Sequence, residues 1–298
     1  MYLNNMATTI NQAFTQFKSN LNITGLQAQT VSTRQQNVRK VVEEGLTVLD
    51  SFLTGSYSRG TMICPLSEAD IDIFMVLDNS YYYHYHGKNG GQAGLLDFVK
   101  RTLRKTYTKT PDISRNGQAV TIRFDDFMVD VIPAFNRQGG GYLIPNSITQ
   151  SWLSTNPKKH VELISASNSA HNGDFVPLVK MIKCWNRNIQ SHFHSFHLEV
   201  LALSIFSNIE ISDLPSGVRY FFDKARVLVT KQNSDPAGYD GDVGSYINNQ
   251  DKIDEAVSRL QTAYDRAVKA EYCSTLGQTS NAIDEWRKIF GNYFPTYG

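Results

Sequence analysis

Two aspartates separated by one isoleucine, in Glu68-Ala69-Asp70-Ile71-Asp72-Ile73-Phe74-Met75-Val76-Leu77, constrain this chain more than any other feature. The segment reads as a strand, in which successive side chains point to opposite faces. Asp70 and Asp72 therefore share one face, while Ile71 and Ile73 pack into a core behind them. Paired carboxylates suit Mg²⁺, which takes hard oxygen ligands and is commonly held by one or two carboxylates plus the phosphates of its substrate. The chemistry implied is phosphoryl or nucleotidyl transfer.

Residues 127–135, Phe-Met-Val-Asp-Val-Ile-Pro-Ala-Phe, form a second apolar strand interrupted by one carboxylate, Asp130. A buried, unpaired charge is costly, so Asp130 calls for a metal or a cationic partner. If the two strands are neighbours, Asp70, Asp72 and Asp130 form a two-ion cluster. One ion would activate an attacking hydroxyl and the other would stabilise leaving pyrophosphate, the ions roughly 3.5–4 Å apart. Two Mg²⁺ ions are the expected cofactor, with Mn²⁺ as a substitute. Gly55-Ser56 belongs to the same device. A chain that leaves a strand at Leu53-Thr54 and turns at Gly55 into a short helical segment aims free amides and the Ser56 hydroxyl at phosphate oxygens. Ser56 would hold the triphosphate, not attack it.

Lys180 and Lys183 stand three apart in the helical pattern of residues 175–189 and so share a face. A lysine pair is ordinarily a solvated stripe, but so little of this helix is polar that the stripe is expected to border a cleft. Lys183 would then meet triphosphate oxygens, with Lys180 as its partner. In His194-Ser195-Phe196-His197-Leu198-Glu199, Ser195 reads as the cap of a helix and Phe196 as a core residue.

The pattern upstream predicts a helix over residues 33–52, with Val38, Val41, Val42, Leu49 and Phe52 on one face, as a spine behind the catalytic sheet. Residues 78–94 read as a loop, rich in Tyr, His and Gly but lacking the Lys-Ser or Lys-Thr ending of a Walker phosphate loop. Residues 118–124 alternate and pair with the Asp130 strand across Asp125-Asp126. From about residue 156 onward the patterns become long and helical, which divides the chain into residues 1–155 and residues 156–298, two lobes expected to enclose one cleft.

At 298 residues, with 41% hydrophobic and 19% charged residues, the chain can bury a full core. Its three cysteines, Cys64, Cys184 and Cys273, make no disulfide framework, and His192, His194 and His197 offer no paired spacing for zinc. Asp235, Asp240 and Asp242 lack the spacing of an EF-hand and read as a structural loop. Neither a leader nor a membrane span is visible, so a cytoplasmic protein without membrane association is expected. A net charge of +1 argues against a nucleic-acid activator. The basic stripe of Lys100, Arg101, Arg104, Lys105 and Lys109 reads as a solvated helix face.

Gly-Ser, then Asp-x-Asp, then a later aspartate on a neighbouring strand resemble the DNA polymerase β-like nucleotidyltransferase superfamily. A finer set is G-S-Y-S-R-G-T, the Asp-x-Asp strand, V-D-V-I-P-A-F, L-V-K-M-I-K-C-W-N-R, H-S-F-H-L-E-V-L, S-D-P-A-G-Y-D-G-D-V and W-R-K-I-F-G-N-Y-F-P. Spanning almost the whole chain, it is similar to the bacterial relatives of cyclic GMP-AMP synthase and oligoadenylate synthase, the cGAS/DncV-like nucleotidyltransferases (CD-NTases). The resemblance implies an α/β (α+β) fold, a polymerase β-like nucleotidyltransferase core with a mixed or antiparallel sheet plus an all-helical C-terminal lobe. It places Lys183 and Ser195 on the triphosphate and implies that Phe196, where relatives have a tyrosine, stacks on a nucleobase.

The same resemblance implies synthesis of a cyclic di- or trinucleotide from ATP and/or GTP, with pyrophosphate release, as an anti-phage second messenger acting on a downstream effector. A regulatory protein partner is compatible with it. A linear oligoadenylate synthase, or a terminal transferase acting on RNA or a small molecule, needs the same metal cluster and stays open. A non-catalytic binding module is disfavoured by the intact Asp70, Asp72 and Asp130.

Overall fold

The computed structural model describes residues 6–109, 112–239 and 241–298. It begins with β1 (Met6–Ala7), α1 (Ile10–Asn20), α2 (Gly25–Gly45), β2 (Val48–Thr54) and the single turn α3 (Gly55–Ser58). Next come β3 (Asp70–Leu77), α4 (Asn79–Tyr85), α5 (Gly91–Thr106), β4 (Asp112–Asn116) and β5 (Ala119–Arg123). Strands β6 (Met128–Asn136), β7 (Tyr142–Asn146) and β8 (Ser151–Thr155) complete the sheet region. Helices α6 (Pro157–Ala170), α7 (Phe175–Asn188), α8 (Ser195–Ile205), α9 (Leu214–Leu228), α10 (Gln250–Thr275) and α11 (Thr279–Phe290) precede β9 (Thr296–Tyr297). Two compact units result, Ile23–Glu162 and a second made of Met1–Asn22 with Leu163–Gly298.

In the first unit a mixed sheet runs in the order β2-β3-β6-β5-β4, with β7 pairing β6 and β8 pairing β7. β3 and β6 are parallel; the other pairings are antiparallel. One face carries Ile71, Ile73, Val129, Val131, Val120 and Ile122, all fully buried, against Val38 and Val42 of α2 and Leu95, Leu96, Val99 and Leu103 of α5. Strand alternation therefore leaves Asp70, Asp72 and Asp130 on the opposite face. That face is apolar along its far end, where Phe74, Val76, Ala134 and Ile144 form a smaller core.

The helix behind this sheet differs from the sequence expectation. It begins at Gly25, where Thr24 and Gln27 form a capping box, and ends at Gly45. Gly45 lies so close to the Thr102 side chain that a β-carbon there would collide with it, and Leu46 turns extended. Leu49 and Phe52 therefore belong to β2. Residues 78–94 are not wholly loop either: the Asp78 carboxylate accepts the Ser80 N–H and starts α4.

The second unit is helical. Its N-terminal segment is tied to the C-terminus by the parallel pairing of β1 with β9 and by a cluster in which Phe14 and Phe17 of α1 meet Trp286, Phe290 and Phe294. Phe14 and Trp286 cross edge to face at 5.0 Å, the arrangement favoured by aromatic quadrupoles. This burial assigns residues 1–22 to the helical unit, whereas the sequence had placed them with residues 23–155. The other boundary lies within α6, after Glu162, a few residues beyond the expected break.

Candidate active site

The register of the sheet lines up one polar row. Thr54 on β2 pairs with Asp72 on β3, Asp72 with Asp130 on β6, Asp130 with Thr121 on β5, and Thr121 with Ser114 on β4. Asp70, two residues before Asp72, extends the row on the same face. Neighbouring strands lie roughly 4.8 Å apart, so Asp72 and Asp130 leave the sheet side by side.

Gly55 completes this corner. Its φ of +66° is a left-handed conformation, and a β-carbon at the position would fall on the Asp72 carboxylate. The glycine therefore permits both the turn and the close approach of the aspartate. The turn is pinned by the Ser56 carbonyl, which accepts the N–H groups of Thr61 at 2.9 Å and Met62 at 3.0 Å. No side chain caps α3, which leaves its first amides for a ligand or water. Gly55, Ser56, Asp70, Asp72 and Asp130 are thus brought together.

Asp70 and Asp130 resist ionisation. Burial raises the pKa of Asp130, and the nearby Thr121 hydroxyl offsets this in part without making a regular hydrogen bond. Asp130 Oδ1 is sealed from water with no partner. Asp70 is also raised, by burial first and by the Asp130 charge second, with Arg123 pulling the other way. An orphaned buried oxygen beside like charges is the chemistry of a cation site, and a divalent ion fits the donor set. The carboxylates are not drawn into a closed cage, however. Among the described residues, no three His, Cys, Asp or Glu side chains stand close enough to hold an ion as they are.

The remaining candidates lie in the helical unit. Lys180 is half-buried and donates to Asn22 Oδ1 at 2.7 Å. Lys183 is only 7% exposed and pairs at 3.3 Å with Glu199 of α8, itself fully buried. The lysine face is therefore not a solvated stripe, since a neighbouring helix supplies the counter-ion. Ser195 is the first residue of α8 and not its cap; the capping position is His194, which makes no side-chain cap bond. Ser195 is exposed and Phe196 half-buried, while the core aromatic is Phe193.

The sequence reading missed Glu199, Thr121 and Tyr246. Glu199 carried a signal, as the one charged residue in the apolar run Leu198–Ile205, a position that demands a buried partner. Tyr246 carried none, because its hydroxyl acts across a loop. It accepts the His194 N–H at 3.0 Å and bonds His197 Nδ1 at 2.9 Å. Asp235 accepts the N–H groups of Ala237 and Tyr239, and Asp242 those of Asn233 and Gly244, as a structural loop requires. Asp240 lies outside the described residues.

Residues 8–168 match the Second Messenger Oligonucleotide or Dinucleotide Synthetase domain family. A probable cyclic nucleotide synthase of Bacillus cereus (strain VD146) is 27% identical over 273 residues, covering 82% of this chain and 81% of that protein. A cyclic AMP-AMP-AMP synthase of Acinetobacter sp. (strain ATCC 27244 / 9458) is 28% identical over 263 residues, covering 82% and 72%. The solved structure of Escherichia coli MS115-1 CdnC with ATP superposes with a TM-score of 0.76 at 20% identity, covering 95% of this chain and 98% of that one, a likeness of fold. CdnC has also been solved in complex with HORMA-deltaN. No helix among the described residues is long and apolar enough to cross a membrane. The family match spans the whole carboxylate face together with its Gly-Ser turn, and the chain belongs to the Second Messenger Oligonucleotide or Dinucleotide Synthetase family, as a CD-NTase-type nucleotidyltransferase.

Proposed function

We propose that this enzyme joins nucleoside triphosphates into a cyclic di- or trinucleotide, using Asp70, Asp72 and Asp130 to hold divalent cations, Mg²⁺ above all. The observation that carries the reading is the alignment of Asp72 and Asp130 across the parallel β3–β6 ladder, with Gly55 against Asp72. Bound there, Mg²⁺ supplies positive charge to the attacking hydroxyl and to the departing pyrophosphate. The α3 amides and Ser56 receive triphosphate oxygens. A 3′ or 2′ hydroxyl oxygen forms a bond to the α-phosphorus of a second triphosphate as the bond to pyrophosphate breaks. Its proton leaves toward the Asp130 carboxylate, whose affinity for a proton is raised by burial.

Lys183 adds charge for the triphosphate, with Lys180 secondary, while Ser195 and Phe196 contact triphosphate and base. The similarity to proteins named cyclic AMP-AMP-AMP synthase supports ATP as a substrate here. The HORMA complex of CdnC supports a regulatory protein partner here. The role inferred from the family resemblance is that of a second messenger in anti-phage defence acting on a downstream effector. The test is incubation of purified enzyme with all four triphosphates and Mg²⁺, then phosphatase and mass spectrometry. Primer-independent, phosphatase-resistant product is expected. A strict need for an RNA or small-molecule acceptor, or only phosphatase-sensitive chains, would overturn the reading in favour of a transferase or a linear synthase.

A further inference from the structure

The segment between α9 and α10, residues 229–249, is tied to itself and then to the start of α8. Asp242 Oδ1 accepts the N–H groups of Asn233 and Gly244, each at 2.9 Å, and Val243 N–H reaches the Asn233 carbonyl. From this braced loop Tyr246 stacks on the His194 ring at 3.7 Å. Its hydroxyl takes the His194 N–H and engages His197 Nδ1. His197 is fully buried, and a β-carbon on Gly244 would stand 2.9 Å from its Cε1 and 3.1 Å from its Nε2. Glycine at 244 thus leaves the room in which the imidazole sits.

Residue 193 is held separately. Asn186 of α7 accepts its N–H at 2.9 Å and donates to its carbonyl at 2.7 Å. The first turn of α8 begins just after that anchor, and no side chain caps it. Tyr246 supplies an oxygen for the N–H of His194, the residue at the capping position. Burial lowers the His197 pKa to about 4, with Asp242 opposing the effect and His194 adding to it, so the imidazole is neutral and meets the Tyr246 hydroxyl through Nδ1. Burial also raises Tyr246 to about 12, which keeps its phenol protonated.

We propose that Tyr246 and His197 are positioning residues: they clamp the loop of residues 229–249 onto the first turn of α8 and thereby set Ser195 and Phe196 for the nucleotide. The proposal rests on the reading that Ser195 and Phe196 meet substrate. Tyr246→Phe removes one oxygen and keeps the ring. It should raise KM for ATP about tenfold, the value of one well-placed hydrogen bond, while kcat stays within about twofold. Because Tyr246 acts in part through Ser195, the Tyr246→Phe, Ser195→Ala double variant should raise KM by less than the product of the two single effects.

Gly244→Ala crowds His197 without touching either ring, and it should move KM in the same direction. It serves if Tyr246→Phe does not fold. Unchanged KM in a folded Tyr246→Phe or Gly244→Ala, or full additivity with Ser195→Ala, would overturn the clamp while leaving the α8 reading intact. If Ser195→Ala and Phe196→Ala each leave KM unaltered, the α8 reading fails and the clamp fails with it.

Discussion

Asp72 and Asp130 are register partners in the parallel β3–β6 ladder, so two carboxylates leave neighbouring strands side by side on one face. Two like charges at this spacing repel, and one of them has a sealed oxygen without a partner. A cation held there, as proposed, would offset that repulsion, and the consequences can be measured.

Replacing Asp70 and Asp72 together by Asn keeps their shape and removes two anionic ligands. Product formation from triphosphates should fall by orders of magnitude, about 10³-fold or more given how much of the transition-state charge a metal site stabilises. Near-parental synthesis at saturating ATP and Mg²⁺ would contradict the assignment of the carboxylate face.

The pH dependence of the metal-free protein follows from the raised pKa values of Asp70 and Asp130. The native state keeps protons that the unfolded chain has released. Stability from these protonated carboxyls is complete below the ordinary aspartate value of about 3.9 and is lost as pH rises through the raised native values. Asp130→Asn removes one such group, so in EDTA its melting temperature should overtake the parent's between about pH 4 and neutrality, because burying an amide costs less than burying a charge. Thermal melts across that range check it; parallel curves for parent and variant would count against a strained carboxylate.

Gly55→Ala should cost stability twice over, by forcing a β-carbon into a left-handed backbone and onto the Asp72 carboxylate. The backbone part is worth about 1–2 kcal/mol. Denaturant titration should show a loss beyond that, and synthesis should be abolished. Adding Asp72→Ala removes the collision and should restore part of the stability but none of the activity, which separates steric damage from loss of a ligand.

Lys183→Ala leaves the fully buried Glu199 without the ammonium 3.3 Å away. Breaking a buried pair costs about 3–5 kcal/mol, so this variant should be markedly destabilised before any effect on triphosphate binding is considered. A lysine on a solvated helix stripe would have been nearly neutral. Lys183→Met with Glu199→Leu removes both charges and should recover most of the stability. If the recovered protein also bound ATP normally by calorimetry, Lys183 would have no part in holding the triphosphate.

The local chemistry was written in periodicity. Alternation in residues 70–77 put Asp70 and Asp72 on one face because a strand has a period of two whatever it pairs with. The lone charge in residues 127–135, the turn at Gly55 before Ser56 and the helical character beyond residue 156 were legible for the same reason: each depends on neighbours a few residues away. Which distant segments share a surface was not. The parallel alignment of Asp72 with Asp130 spans a connection containing α4, α5 and two strands, and it exists because α2 and α5 bury the other face of the sheet. Lys183 looked like part of a polar stripe until α8 brought Glu199 to it, and residues 1–22 joined the helical unit because Phe14 and Phe17 found Trp286, Phe290 and Phe294 at the far end of the chain. Such pairings are chosen by which apolar surfaces can be removed from water together, a property of the packed molecule that no short window of sequence contains.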